Sequence, residues 1–202
     1  MTKRRHLNPK SYYHVIMRGN NRQPIFKTER DMFEILRAFG YVYDKYPFTI
    51  LAYCFMTNHY HILIKPDRET DSLSKIMGLI NRRYSHSFAK RYNYVGRLYQ
   101  KRYLAKEVRS RQGLLAVSRY IHRNPINTKQ PLVEQLELYP YSSYPFYFDE
   151  TQPPPIFLNR DFLKKLLPPN FEKTNEAYCK YCMCPCVRHN SENCLSQGQK
   201  LF

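Results

Sequence analysis

The chain contains no apolar run approaching the roughly 18 residues that cross a bilayer, and its mean hydropathy is negative. The basic opening MTKRRHLNPKSYYHV is followed by no apolar stretch, so it does not read as a secretory signal. We find no internal repeat and no Gly-rich loop of the kind that cradles nucleotide phosphates. Together these absences lead us to expect a cytoplasmic protein with no membrane partner and no nucleotide cofactor. Acidic side chains are the other shortage. Asp and Glu number 16 against 33 Lys and Arg, a formal net charge of +17 on 202 residues. A merely solvated surface would lie nearer balance, so this excess is the footprint of a polyanion binder. No basic amphipathic helix with an aromatic face stands out, which favours nucleic acid over a membrane surface. The 19 Tyr and 12 Phe suit stacking on unpaired bases, although most must be core.

Hydrophobic residues make up 43% of the chain, enough for one domain with an appendage. Residues 12–18 (YYHVIMR) read as a strand that ends at Gly19-Asn20-Asn21. Residues 28–45 carry Met32, Phe33, Ile35, Leu36, Phe39 and Val42 at helical spacing, with Thr28 as cap and Asp31 three residues on. Strands follow at 49–55 and 59–65, joined tightly through Met56-Thr57-Asn58. A long helix is expected over 72–92, a fourth strand over 103–108 and a third helix over 110–124, stopped by Pro125. The order βαββαβ is the ferredoxin-like pattern, an α+β fold with an antiparallel sheet and two helices on one face. A composition change near Pro140 suggests a body over residues 1–147 and a Pro-rich, then Cys-rich, tail over 148–202.

Two clusters carry chemistry. In His59-Tyr60-His61, alternation along a strand sends both imidazoles to one side, with Cα atoms about 6.5 Å apart, close enough to share an ion. Each could equally be a structural histidine. In Tyr120-Ile121-His122-Arg123-Asn124-Pro125, Tyr120 and Asn124 are four apart and share a helix face. A phenol can be covalently phosphorylated, and a carboxamide oxygen suits a hard metal. The plain alternatives are a packed aromatic and a helix-ending Asn. His122 falls on a different face and reads as structural.

The combination of His-hydrophobe-His on a strand with Tyr-x-x-x-Asn on a later helix resembles the HUH endonucleases. More narrowly, it is similar to the single-tyrosine, insertion-sequence-200-like transposases and their REP-associated relatives. YHVIMRGNNRQPIF, FMTNHYHILI, GRLYQKRY, YIHRNP and YPYSSY extend the likeness in order over about residues 9–148. The resemblance implies a metal-dependent single-stranded DNA endonuclease and strand-transferase. Tyr120 would be the nucleophile, forming a 5′-phosphotyrosyl link, with Mg²⁺ or Mn²⁺ held by His59, His61 and Asn124. In the transposon-mobilising branch the partner of the tyrosine is usually Gln, whereas Asn124 matches the REP-associated branch, which acts on palindromic hairpins. Relatives include monomers and homodimers, so the tyrosine could act in cis or in trans.

Candidate DNA contacts are Arg18, Asn20 and Arg22 after the first strand. A basic stripe adds Arg82, Arg83, Lys90 and Arg91 on the second helix, with Arg97, Lys101 and Arg102 beyond it. Cys54 reads as a buried small hydrophobe. Cys179, Cys182, Cys184 and Cys186, with His189 and Cys194, are crowded enough to suggest Zn²⁺ in the tail, although the spacing matches no standard zinc motif. Two rival readings remain: a non-catalytic nucleic-acid-binding protein on the same fold, and a metal-dependent hydrolase that does not need Tyr120.

Overall fold

The structure, a computed structural model, describes residues 7–184. Four strands, β1 (Tyr12–Arg18), β2 (Phe48–Met56), β3 (His59–Pro66) and β4 (Leu104–Val108), form one antiparallel sheet in the order β2-β3-β1-β4. Helices α1 (Glu29–Tyr43) and α2 (Leu73–Tyr92) pack together on one face, and α3 (Arg111–Arg123) covers the other. This is the expected ferredoxin-like α+β architecture, with the third helix set across the sheet from the first two.

Local chemistry explains each element. The Asp31 carboxylate accepts the backbone N–H of Thr28 (3.0 Å), and the buried stripe Met32, Ile35, Ala38, Phe39, Val42 then faces the sheet. Ser72 caps α2, and Asn93 ends it in the left-handed region (φ 47°) that Asn tolerates. Ser110 Oγ accepts the Gly113 N–H (3.0 Å) at the start of α3, and Leu114, Leu115, Ser118, Ile121 and His122 form its buried stripe. Between the sheet and α1–α2, Tyr60 is fully buried and donates its hydroxyl to Asn81 Oδ1 (2.7 Å).

The β2–β3 turn, Thr57-Asn58, has no positive φ and so lacks the mirror-image turn that favours short hairpins. Tertiary bonds hold it instead. Thr57 O accepts from the N–H groups of Ile25 (2.9 Å) and Phe26 (3.0 Å), and Asn58 O from Gly19 (2.9 Å). Gly19 is required by this close approach: a Cβ there would lie 2.3 Å from Gln23 O and 2.8 Å from Ile25 Cγ2.

Residues beyond Tyr139 pack on the α3 side and on the edge of β2. Phe55 N–H donates to Tyr141 O (2.9 Å), Ser143 N–H to Tyr53 O (3.0 Å) and Ile50 N–H to Phe157 O (2.8 Å). These bonds cover an edge strand whose groups would otherwise lie open. Two short helices follow, α4 (Tyr144–Phe148) and α5 (Asn175–Met183). Tyr147, Phe157, Tyr178 and Cys182, from both sides of position 147, lie in one core cluster with the sheet.

Candidate active site

Cross-strand partners share a face of the sheet, and the register places His61 between Ile16 of β1 and Cys54 of β2, with His59 between Arg18 and Met56. All of these face α3. On the same face of β1, two residues before Ile16, His14 brings its Nε2 within 3.0 Å of His61 Nδ1. The other histidine is held similarly: His59 Nδ1 lies 2.7 Å from Asn58 Oδ1, while Asn58 Nδ2 donates to Arg22 O (3.1 Å).

Helix α3 lays Tyr120 across this pair. Its ring lies edge-on to His61 (centroids 5.4 Å, 89°) and to His14 (5.8 Å, 71°). One turn later Asn124 Nδ2 donates to Tyr120 O (2.9 Å), and the Asn124 amide lies close enough to His59 and Tyr120 to perturb the titration of both. Residues 59, 61, 120 and 124 of a single chain therefore meet, as the spacing alone could only suggest.

Burial lowers the His59 pKa to about 4, helped by the nearby Arg18 cation and opposed by Asn124. His61 is pushed well below its ordinary value by burial, then by His14, His59 and Arg18. Burial also lowers His14 to about 4, with Lys106 adding to the effect. All three imidazoles are neutral at pH 7 and carry one lone pair each. The Tyr120 phenol is raised by burial, against the pull of Asn124 and Arg18.

A divalent ion fits this donor set by one observation above all. His61 Nε2 is buried and has no hydrogen-bond partner, although buried polar atoms are rarely left so. Among the described residues no three His, Cys, Asp or Glu side chains converge to hold a metal. Asn124, the third donor that the resemblance implies, lies beside the histidine pair.

Of the expected DNA contacts, Arg18 lies in the site, and Asn20 and exposed Arg22 follow in the turn beside it. The segment holding Arg97, Lys101 and Arg102, all exposed, runs along the same end of β1: Asn20 N–H donates to Leu98 O (2.8 Å) and Gln100 N–H to Arg18 O (3.1 Å). Arg82, Arg83 and Lys90 are not brought there. They line a groove of about 710 Å³ between α1 and α2, across the sheet, where Arg83 stacks 3.8 Å from the Tyr41 ring centroid. Arg91 is spent on a 2.6 Å ion pair with buried Asp31. The stripe divides because α2 and α3 lie on opposite faces.

His122 is fully buried, with Nε2 2.8 Å from Ser143 Oγ and Nδ1 3.1 Å from Tyr178 Oη, and it ties α3 to the C-terminal segment. Arg123 donates to Cys182 O (3.0 Å), and Arg119 donates to the carbonyls of Cys182 (3.3 Å) and Cys184, together capping α5. Cys54 is buried, as expected. Cys179 and Cys182 are buried too, and burial pushes the Cys179 thiol up to about 12 and Cys182 higher still. Cys184 is exposed, and Cys186, Cys194 and His189 lie outside the described residues.

Sequence reasoning missed His14 and Asn58. Alternation on residues 12–18 sets His14 and Arg18 on one face, but only the β1–β3 register puts His14 opposite the histidine pair.

Residues 8–124 match the family model for IS200-like transposases. No curated protein matches the sequence. Among solved structures, a REP-associated tyrosine transposase bound to a REP hairpin is similar, with a TM-score of 0.58 and 20% identity over 83% of this chain and 88% of that one. At that identity the likeness speaks for the fold.

Proposed function

The chain belongs to the IS200-like transposase family, and from that premise we propose that it cuts and rejoins single-stranded DNA through Tyr120. The observation that carries this reading is the meeting of Tyr120 with His59, His61 and Asn124 within one chain. The Tyr120 oxygen attacks a backbone phosphorus in line. A P–O bond to tyrosine forms, the bond to the 3′-oxygen breaks, the phenol loses its proton and the departing 3′-oxygen takes one up. Attack by a 3′-hydroxyl on the link runs the same exchange backwards and joins either the old end or a new one.

His59, His61 and Asn124 would hold a Mg²⁺ or Mn²⁺ ion, which supplies polarisation of the scissile phosphate and offsets charge growing on its oxygens. Arg18 adds a fixed cation beside Tyr120, and its field favours the phenolate that attack requires. Arg22, Arg97, Lys101 and Arg102 lie at the same end of the sheet and suit the approaching backbone. The hairpin carried by the similar structure, together with Asn124 in place of Gln, points to palindromic hairpins as substrate. The meeting of the four site residues within one chain supports a tyrosine acting in cis.

The test is incubation of the protein with a labelled single-stranded hairpin and Mn²⁺, read on a denaturing gel. A covalent protein–DNA band is expected, absent in Tyr120→Phe. Binding without a band would point to a non-catalytic binder, and cleavage that survives Tyr120→Phe to a hydrolase.

A further inference from the structure

Both histidines of the pair have one ring nitrogen already engaged. His59 Nδ1 meets the Asn58 carboxamide at 2.7 Å, and His61 Nδ1 meets His14 Nε2 at 3.0 Å. A neutral imidazole has one N–H and one lone pair, and the hydrogen bond made by one nitrogen decides which it is. Asn58 Oδ1 can only accept, because its Nδ2 is committed to Arg22 O, so His59 carries its proton on Nδ1. His14 can play either role towards His61. If His14 donated, His61 Nε2 would be a buried N–H with no acceptor. If His14 accepts, Nε2 is instead a bare lone pair, the form in which a ring nitrogen can bind a cation.

We propose that His14 is a positioning residue whose Nε2 accepts the His61 Nδ1–H, fixing His61 in the tautomer that leaves the Nε2 lone pair free to bind a divalent cation. The inference rests on the metal assignment made above. His14 does for His61 what a carboxylate or carbonyl commonly does behind a metal-binding histidine, while Asn58 does the same for His59. The β1–β3 register supplies the alignment, since His14 shares a sheet face with Ile16, the cross-strand partner of His61. His14 also lies edge-on to Tyr120, so one ring braces the nucleophile and orients the ligand.

The test uses the full chain and two readouts that do not involve DNA cleavage. The first is ¹⁵N NMR of the metal-free protein, where His61 is expected as the Nδ1–H tautomer in wild type; an Nε2–H tautomer overturns the proposal. The second is Mn²⁺ affinity, followed by electron paramagnetic resonance of the free ion. His14→Leu should weaken Mn²⁺ binding on the order of 10- to 100-fold, while His14→Gln, which keeps an acceptor, should stay within about threefold of wild type. Thermal unfolding of each variant identifies any that fail to fold, and the Gln variant keeps the comparison open if Leu does not. Leu binding as tightly as wild type, or Gln falling as far as Leu, overturns the positioning role. Equal Mn²⁺ affinity in wild type and His61→Ala would instead remove the metal assignment, and this inference with it, whatever the NMR shows.

Discussion

His122 should make the stability of this protein depend on pH in a way that one substitution removes. It is buried, bonded to Ser143 and Tyr178, and burial lowers its pKa from 6.5 to about 3. The folded state therefore excludes a proton that the unfolded chain accepts below about pH 6.5. The stabilisation is fully present above that value and is lost as pH falls towards about 3. Each pH unit in that window costs about 1.4 kcal/mol. Near pH 5 the loss through His122 alone comes to about 2 kcal/mol. His122→Leu fills similar space without titrating. At pH 8 it should cost only about 1–2 kcal/mol, because Ser143 Oγ keeps the Tyr53 N–H (2.9 Å) and only the Tyr178 hydroxyl loses its partner. The two proteins should therefore differ in guanidinium midpoint at pH 8 and converge near pH 5. His14, His59 and His61 are depressed as well, so they add a slope common to both curves that cancels in the comparison. Parallel curves, with the gap at pH 5 equal to that at pH 8, would refute the reasoning.

Burial alone would raise the Asp31 carboxyl, but hydrogen bonds from Tyr92, Lys27 and Thr28 and the Arg91 cation hold it below its ordinary value. Asp31→Ala should cost roughly 2–4 kcal/mol by leaving the Lys27 and Thr28 N–H groups and the Tyr92 hydroxyl without their acceptor, while Arg91 keeps Glu34, and the difference from wild type should shrink as acid neutralises the carboxylate; a loss under 1 kcal/mol in urea unfolding would contradict this. Gly19→Ala should destabilise by roughly 1–3 kcal/mol, since its Cβ would meet backbone and not a yielding side chain; an unchanged melting temperature would show that the turn can move aside. Removing Arg119 and Arg123 together should uncap α5 and speed amide exchange at residues 175–183 while the β2–β3 hairpin stays protected. Equal protection of α5 in the double variant would mean that packing of Tyr178 suffices.

The elements were legible because their signals are local. The alternation in HYHILIK, the stripe in residues 28–45 and Pro125 after α3 each act within a few residues, and β1, α1, β2, β3, α2, β4 and α3 lie within a residue or two of where those signals place them. The i, i+2 histidines and the i, i+4 Tyr120 and Asn124 were likewise readable, as pairs. Less legible was the stretch after Pro140. Its Pro, Tyr and Ser suggest an irregular segment, yet it forms the short helix α4, its backbone bonds to the β2 edge and its tyrosines bury against α3. Composition reports the lack of periodicity but not what such a segment packs on.

The sequence by itself determined the inventory: which residues form strands and helices, which side chains share a face, and a surplus of positive charge suited to a polyanion. Only the tertiary structure decided where those faces meet. Placing α3 across the sheet from α2 sends Arg82 and Arg83 away from the Tyr120 side. The β1–β3 register joins His14 to His61 over 47 residues of chain, and a shift of one residue would turn His14 to the other face. Periodicity is a property of neighbours along the chain, whereas register and the choice of face are set by the packing of the whole core.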